Sequence, residues 1–199
     1  KQIEHWIQAP PRLEDIYNFE DALVVGGLLI SLLKNSDRVK MACLAQLVNV
    51  IAPIMTETGG KAWKQTIYYP FYYTSLYGRG TALKVNMDCP RYDCRQYTDV
   101  TVLDAVAVAD EGESTVTMFV LNRSMEEDIA LSCDLRSVKA ESCICHTALE
   151  GYGYEEANSA LEPDRVAPSP KPTDILAQGR LEVVIPRSSW HMFRFRTKG

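Results

Sequence analysis

The stretch LEDIYNFEDALVVGGLLISLLKNSDRVKMACL, residues 13–44, decides the fold class of this chain. Apolar residues fall on nearly every turn of residues 13–34, and the acidic pair Glu14 and Asp15 suits a helix amino terminus. Residues 39–44, VKMACL, form a short apolar run that predicts a buried strand. A helix, a short turn and a buried strand make one α-to-β step of an α/β protein.

Two further features complete the front of the chain. Gly26 and Gly27 lower helix propensity, so we expect them where the helix packs closely against a neighbour. A second helix is predicted across residues 63–77, with Pro70 kinking or dividing it. One helix–strand–helix step cannot close a sheet, so this part is expected to need partners that the chain does not contain.

From about residue 80 the sequence changes to strand-length runs rich in β-branched and aromatic residues. Alternation in residues 115–118 and 191–196 predicts one wet and one buried face, as in an antiparallel β-sandwich. Residues 151–174 contain four prolines and are typical of a long surface loop. The six predicted strands are residues 100–110, 114–124, 127–135, 140–149, 180–186 and 189–196.

The composition excludes several classes of function. With 199 residues, 46% of them hydrophobic, the chain can bury a core, and its net charge of −5 argues against nucleic acid or an anionic membrane as partner. The most apolar stretch, residues 22–33, is shorter than the roughly 20 residues of a membrane span. We therefore expect a buried helix there.

Six cysteines and three histidines lack the spacing of a metal site or a disulfide scaffold. Cys143 and Cys145 lie two apart in a strand-like run, so they are predicted to face the same side of a sheet and not to bridge each other. No CxxC pair, phosphate loop or nucleotide fingerprint is present. We expect reduced thiols in a cytoplasmic protein with no metal and no cofactor.

Two amides mark a candidate binding site. Gln46 and Asn49 follow the predicted strand at residues 39–44, at the end where α/β folds place ligand contacts. An amide offers both donors and an acceptor, which suits the hydroxyls of a sugar or a similar polyol. The structural alternative is that both amides satisfy backbone groups in their own loop.

Several tyrosines between residues 68 and 77 admit two interpretations. They could form a platform for sugar rings, but spacing of four, as in Tyr68 with Tyr72 and Tyr69 with Tyr73, is more typical of a buried helix face. We expect burial.

The front of the chain resembles a known family. The run at residues 13–57, followed by WKQTIYYPF and SLYGRG, is similar to the α-L-arabinofuranosidases of glycoside hydrolase family 51. The similarity is dense over residues 11–80 and thinner through DVTVLDAVAVAD, FVLNRS and SSWHMFRFR. It implies a (β/α)8 TIM barrel joined to a β-sandwich of jelly-roll type, with this chain supplying helix 7, strand 8 and helix 8 (residues 1–79) and the sandwich (residues 80–199).

The resemblance also implies the chemistry. Such enzymes release terminal α-L-arabinofuranosyl groups from arabinan, arabinoxylan and related oligosaccharides with retention, using two Glu residues about 5–5.5 Å apart. By the family layout both precede Lys1, so this chain has no catalytic residue and is expected to be inactive alone. Gln46 matches the family glutamine that hydrogen-bonds the arabinose ring, whereas Asn49 has no comparably clear role.

Two functions remain open on these grounds. In the first, the chain is the carboxy-terminal part of an arabinofuranosidase. Its expected partner is the remaining amino-terminal part of the barrel, and its expected assembly is a homo-oligomer. Alternatively, it is a non-catalytic sandwich module that binds carbohydrate or mediates oligomerisation. The helix–strand–helix step at the front favours the enzyme, because a free-standing module has no use for the end of a barrel.

Overall fold

The computed structural model describes residues 14–198, which form a β-sandwich with two helices on one face. The helices are α1 (Phe19–Lys34) and α2 (Tyr68–Tyr77), and Arg136–Val138 form a short 3-10 helix. The strands are β1 (Ile54–Thr56), β2 (Ala62–Lys64), β3 (Thr81–Leu83), β4 (Arg91–Tyr92), β5 (Val100–Thr101), β6 (Leu103–Asp110), β7 (Thr115–Asn122), β8 (Ile129–Asp134), β9 (Ala140–Leu149), β10 (Ser169–Pro170), β11 (Leu176–Ala177), β12 (Arg180–Ile185) and β13 (Ser189–Thr197).

Two antiparallel sheets build the sandwich. The larger has the order β10-β9-β13-β7-β6-β3 and the smaller the order β11-β12-β8, while β1 with β2 and β4 with β5 form separate two-stranded ribbons. All six strands predicted from the sequence are present as β6, β7, β8, β9, β12 and β13. The antiparallel arrangement is also confirmed.

Side chains of the larger sheet alternate between two separate cores. The sandwich core lies between the two sheets and includes Ala105, Met118 and Phe193. The helix-face core lies beneath the helices and includes Val106, Phe119 and Trp190. Period-two alternation therefore separates two buried faces here.

The predicted wet face is therefore wrong for β7, and on β13 it holds only towards the end, where Arg196 is exposed. Every residue of β7 is buried, because α1 and α2 cover the face that was expected to meet water. Polar residues on that strand are buried as well: Thr115 is 3% exposed and Thr117 is 2% exposed. Threonine favours strands by its β-branch, so its presence does not identify a solvated face.

α1 packs on the larger sheet through its glycines, as predicted. A Cβ atom at Gly26 would lie 2.5 Å from Cδ1 of Trp190, and one at Gly27 would lie 3.0 Å from a methyl carbon of Leu121. Any larger side chain would push the helix off the indole, so the two glycines set the distance between helix and sheet.

α1 begins six residues later than the sequence pattern predicted. Asn18 is the N-cap: its side chain accepts from the backbone N–H of Asp21, and the Asp21 carboxylate accepts from the backbone N–H of Asn18. This reciprocal capping box fixes the start of the helix more strongly than the acidic pair Glu14 and Asp15. Thr66 donates to the Asn18 carbonyl and anchors the cap to the segment before α2.

α2 also begins later than predicted, at Tyr68 instead of residue 63, because Trp63 belongs to β2. Pro70 neither kinks nor divides it. The proline lies in the first turn, where a helix leaves its N–H groups without intrahelical partners, so the missing donor is harmless.

The segment predicted as a buried strand, residues 39–44, forms no strand in this structure. Most of it is exposed, and the Met41 side chain is 84% exposed. A parallel strand takes its hydrogen bonds from neighbours on either side, and residues 14–198 place no strand beside this one.

Cys143 and Cys145 lie on opposite faces, which corrects the prediction. Cys145 is paired with Arg194 and Cys143 with Phe195, so Ile144 is an extra residue in a β-bulge. Cys143 joins the sandwich core and Cys145 packs on the helix-face core. All six cysteines are free thiols, as predicted.

The proline-rich segment of residues 151–174 is only partly a surface loop. Val166 is fully buried in the helix-face core, and Asn158 holds it by accepting from the Val166 N–H and donating to its carbonyl. The segment crosses the helix side, pairs with β9 at the two residues of β10 and continues to β11. It therefore wraps the edge of the larger sheet.

Candidate functional site

Gln46 lies in the loop between α1 and β1, with an exposed side chain. Its Nε2 donates to the carbonyl oxygens of Val48 and Asn49, each at 3.1 Å. Within residues 14–198 no donor is bonded to Gln46 Oε1. The side chain is thus held against its own loop and keeps an acceptor for a ligand hydroxyl.

Asn49 holds the same loop onto β1. Its Nδ2 donates to Thr56 Oγ1 at 2.9 Å, and its Oδ1 accepts from the Thr56 N–H at 2.7 Å. Its φ of 62° lies in the left-handed region, which asparagine tolerates better than most residues. The Asn49 side chain thus does what the structural alternative described, and it meets Gln46 only through its own carbonyl.

The residue that positions this loop, Gln65, was missed by the sequence interpretation. Gln65 is 1% exposed, and its Nε2 donates to Ala52 O at 2.8 Å and to Asp15 O at 3.3 Å. Its Oε1 accepts from the Tyr17 N–H at 2.9 Å. A glutamine between a tryptophan and the start of a helix gave no signal of burial, because only the fold brings residue 52 and residues 15–17 to it.

The tyrosines of α2 are mostly packing residues, as expected. Tyr69 is buried, and burial raises the pKa of its phenol to about 12. The Tyr73 ring centroid lies 6.2 Å from that of Trp190, and the Arg194 guanidinium lies over the Tyr77 ring at 4.2 Å. Tyr72 is the most exposed tyrosine of α2, but its ring stacks on Tyr68 and offers at most one face to a sugar.

α1 presents an apolar outer face beside a groove of about 540 Å³. Val24 and Leu28 on the helix are more than half exposed, and Tyr92, Met125 and Tyr154 line the facing wall. The groove contains few polar groups, so it suits an apolar surface better than a sugar.

The described residues contain neither a metal cluster nor a membrane-spanning helix. Among residues 14–198, no group of three or more His, Cys, Asp or Glu side chains is arranged to hold a metal ion. In the same part of the chain, no helix has the length and apolar character needed to cross a membrane.

The amide pair sets what this site can do chemically. Gln46 can donate and accept hydrogen bonds, but an amide does not ionise near neutral pH. It can orient a hydroxyl group and cannot serve as the acid, base or nucleophile of a hydrolytic reaction.

Comparisons with known proteins agree on one family. The family model for the alpha-L-arabinofuranosidase C-terminal domain matches residues 2–189. An intracellular exo-alpha-(1->5)-L-arabinofuranosidase of Halalkalibacterium halodurans is 48% identical over 198 residues, which cover 100% of this chain and 39% of that protein. The intracellular exo-alpha-(1->5)-L-arabinofuranosidase 1 of Bacillus subtilis is 44% identical over 196 residues, which cover 98% of this chain and 39% of that protein.

A solved structure agrees with them. AbfB, a family 51 alpha-L-arabinofuranosidase from Bifidobacterium longum, superposes with a TM-score of 0.89 at 37% identity, over 97% of this chain and 38% of that one. The chain therefore spans about two fifths of the length of the relatives it matches. The family match over residues 2–189, the curated relatives and the fold of the described residues show that this chain belongs to the C-terminal domain family of the alpha-L-arabinofuranosidases.

Proposed function

We propose that this chain is the carboxy-terminal part of a retaining α-L-arabinofuranosidase that releases terminal non-reducing α-L-arabinofuranosyl residues from arabinan, arabinoxylan and related oligosaccharides. The observation that carries the proposal is the near-complete match to proteins that bear this activity in their names. Those names favour α-(1→5)-linked substrates. In this proposal both catalytic Glu residues lie in the part of the enzyme that this chain does not cover.

The front of the chain then forms the end of a (β/α)8 barrel. In this proposal α1 is helix 7, residues 39–45 are strand 8 and α2 is helix 8, with residues 1–79 in the barrel and 80–199 in a sandwich of jelly-roll type. The apolar outer face of α1 and the exposed Met41 support it, because both would be covered by the remaining amino-terminal part of the barrel.

The sandwich offers a second place for that partner. β8 is an edge strand of the smaller sheet, and a cleft of about 460 Å³ separates it from residues 84–90. Its floor is apolar and includes Ala105, Met118 and Val120. A strand from the amino-terminal part would fill this cleft and pair with β8. We further propose a cytoplasmic enzyme that assembles as a homo-oligomer.

Gln46 is proposed to bind the arabinose ring from the end of strand 8, with Asn49 shaping the loop beneath it. The free Oε1 of Gln46 supports this role, since it can accept from a sugar hydroxyl without breaking an existing bond.

The test is Gln46→Ala in the complete enzyme, assayed on an aryl α-L-arabinofuranoside. We expect kcat/KM to fall about five- to thirtyfold with an unchanged unfolding midpoint, because a lost hydrogen bond to substrate is worth about 1–2 kcal/mol. Gln96→Ala removes the same amide from an exposed site and serves as the control. Unchanged kinetics in Gln46→Ala would remove this residue from the site.

A second experiment separates the enzyme from the non-catalytic module. The 199-residue chain alone should hydrolyse nothing and should tend to aggregate through its exposed apolar face. A well-behaved monomer that binds arabino-oligosaccharides by calorimetry would favour the module. Turnover by the purified chain would contradict the assignment of the catalytic carboxylates.

A further inference from the structure

A pair of histidines is buried in the sandwich near the edge of the larger sheet. His146 on β9 is 5% exposed and His191 on β13 is 1% exposed. His146 Nε2 and His191 Nδ1 are 3.1 Å apart, so one ring donates a hydrogen bond to the other. The two histidines play no part in the proposed arabinose site.

The pair belongs to a chain of contacts that ends on a carbonyl oxygen at each side. At one end His146 Nδ1 lies 3.3 Å from Pro172 O. At the other end His191 Nε2 lies 2.9 Å from Ser189 Oγ, whose hydroxyl donates to Pro186 O. Carbonyl oxygens only accept, so every proton in the chain must come from the two rings and the hydroxyl.

Counting protons shows that this network is incomplete when both rings are neutral. The four contacts need four protons, whereas two neutral imidazoles and one hydroxyl supply three. Ser189 uses its proton on Pro186 O, so His191 Nε2 must donate to Ser189 Oγ and His191 Nδ1 must accept from His146 Nε2. The nitrogen left without a proton is His146 Nδ1, which faces Pro172 O.

Few charged groups surround the pair. Glu150, just after β9, has Oε2 3.4 Å from His191 Nε2 and is already paired with Lys171. The cross-strand neighbour of His191 on β7 is Val120, and the facing sheet contributes the apolar Leu181 and Ile185 to the same core.

Burial holds both rings in the neutral form. It is the main cause that lowers the pKa of His191, to about 3, and it also lowers the pKa of His146. Lys171 adds to this effect on both rings. The thiol of Cys143, in the same core, stays protonated because burial raises its pKa to about 11.

His146 Nδ1 lies beneath the end of the proline-rich segment, residues 167–172, which we call the strap. The strap is held by the two pairs of β10 with β9, by the Lys171 N–H donating to His146 O at 2.9 Å, and by Thr147 Oγ1 donating to Ser169 O at 3.2 Å. A two-residue edge strand is among the first elements to open locally.

We propose that the His146–His191 pair is an acid-sensitive latch: it takes up one proton at His146 Nδ1 as the pH falls, and the strap then lifts from β9 to hydrate the buried cation. Protonated Nδ1 can donate one hydrogen bond to Pro172 O. That bond does not offset the cost of burying an imidazolium in this apolar core, where Glu150 is already neutralised by Lys171. Lifting the strap exposes the ring without opening the sandwich core.

The first experiment measures the tautomers in the complete protein with ¹⁵N-labelled histidine. At neutral pH we expect both rings to be neutral and protonated at Nε2, with Nδ1 of His146 unprotonated. Single substitutions His146→Gln and His191→Gln assign the signals. A proton on His146 Nδ1 at neutral pH would overturn the proposal, and this result needs no variant to be stable.

The second experiment is amide hydrogen exchange from pH 7.5 to pH 4.5, corrected for the intrinsic pH dependence of exchange. We expect protection of Lys171 to fall at least tenfold while that of Phe119 on β7 stays constant. In His146→Asn the ring is replaced by an amide that stays neutral throughout this pH range, so strap protection should lose its pH dependence. Strap protection that is constant or rises in the wild type at low pH would contradict the latch.

Discussion

The inner face of α1 and the segment that follows the helix are both apolar, yet the fold treats them differently. Phe19 and Ile30 are almost fully buried against the larger sheet, whereas Met41 is 84% and Leu47 73% exposed. The strands of the sandwich find their partners within the chain through hairpins such as β6–β7. Residues 39–44 have the composition of a buried strand but no neighbouring strand among residues 14–198.

The difference shows that apolar sequence specifies a strand only where hydrogen-bonding partners are close at hand. An antiparallel hairpin supplies its own partner a few residues away, but a parallel strand depends on crossover connections from distant parts of a chain. The sandwich should therefore carry the stability of this chain, and the segment at residues 39–48 should contribute little by itself.

The largest effect is expected at the contact between α1 and the sheet. Trp190→Ala should lower the free energy of unfolding by about 3–5 kcal/mol, because the indole is fully buried between Gly26, Phe119 and Tyr73. Chemical denaturation measures it, with the exposed Tyr97→Ala as the matched aromatic control. A loss below 1 kcal/mol would mean that the helices are not held by the sheet.

A smaller loss is expected at the ionic contact between the same elements. Asp104 on β6 is buried and accepts from Lys34 at the end of α1 and from Arg123 after β7. Asp104→Ala should cost about 1.5–3 kcal/mol, since both cations are partly exposed and can return to water. A double-mutant cycle with Lys34→Met tests the link; strictly additive losses would show that the ion pair does not couple the helix to the sheet.

Sequence patterns were sufficient for the sandwich strands because β-branched runs and turn residues act locally. The close packing at Gly26 was also predictable, since a glycine pair inside an apolar helix needs a reason. The burial of each strand face was not predictable, because the exposure of Thr117 depends on helices from another part of the chain that cover it. The bulge at Ile144 shifts the alternation by one residue, and the sequence of residues 142–145, SCIC, does not predict it.

The candidate site divides in the same way. Gln46 could be chosen from its place after an apolar run and from the family resemblance, and its sugar contact stays a prediction. Gln65 could not, because its partners Asp15, Tyr17 and Ala52 come together only in the fold. The start of α1 was misplaced because the acidic pair Glu14 and Asp15 also suits a helix amino terminus, whereas the capping box at Asn18 sets the start.

A further effect is expected on the stability of the sandwich at acid pH. His191 has a lowered pKa in the folded state, so the unfolded state binds more protons between about pH 6.5 and the folded pKa near 3. Stability should therefore be fully present above pH 6.5 and fall as the pH drops, by no more than about 1.4 kcal/mol per pH unit for each histidine. Denaturation of wild type and His191→Gln across pH 4.5–7.5 measures it; parallel curves would contradict the prediction.

The smallest effect in the isolated chain is expected at Met41, which also gives the sharpest test of the comparison. In the isolated chain Met41→Ser should change the free energy of unfolding by less than about 0.5 kcal/mol, because the side chain is already in water. In the complete enzyme the same change should cost about 2–4 kcal/mol, since the proposed barrel would bury the methionine. Urea denaturation of both proteins, with the largely exposed Leu161→Ser as control, gives the two values. Equal small losses in the two proteins would mean that residues 39–44 stay exposed in the enzyme. The assignment of these residues to strand 8 would then be wrong, because a barrel strand cannot leave its apolar side chains in solvent on both faces.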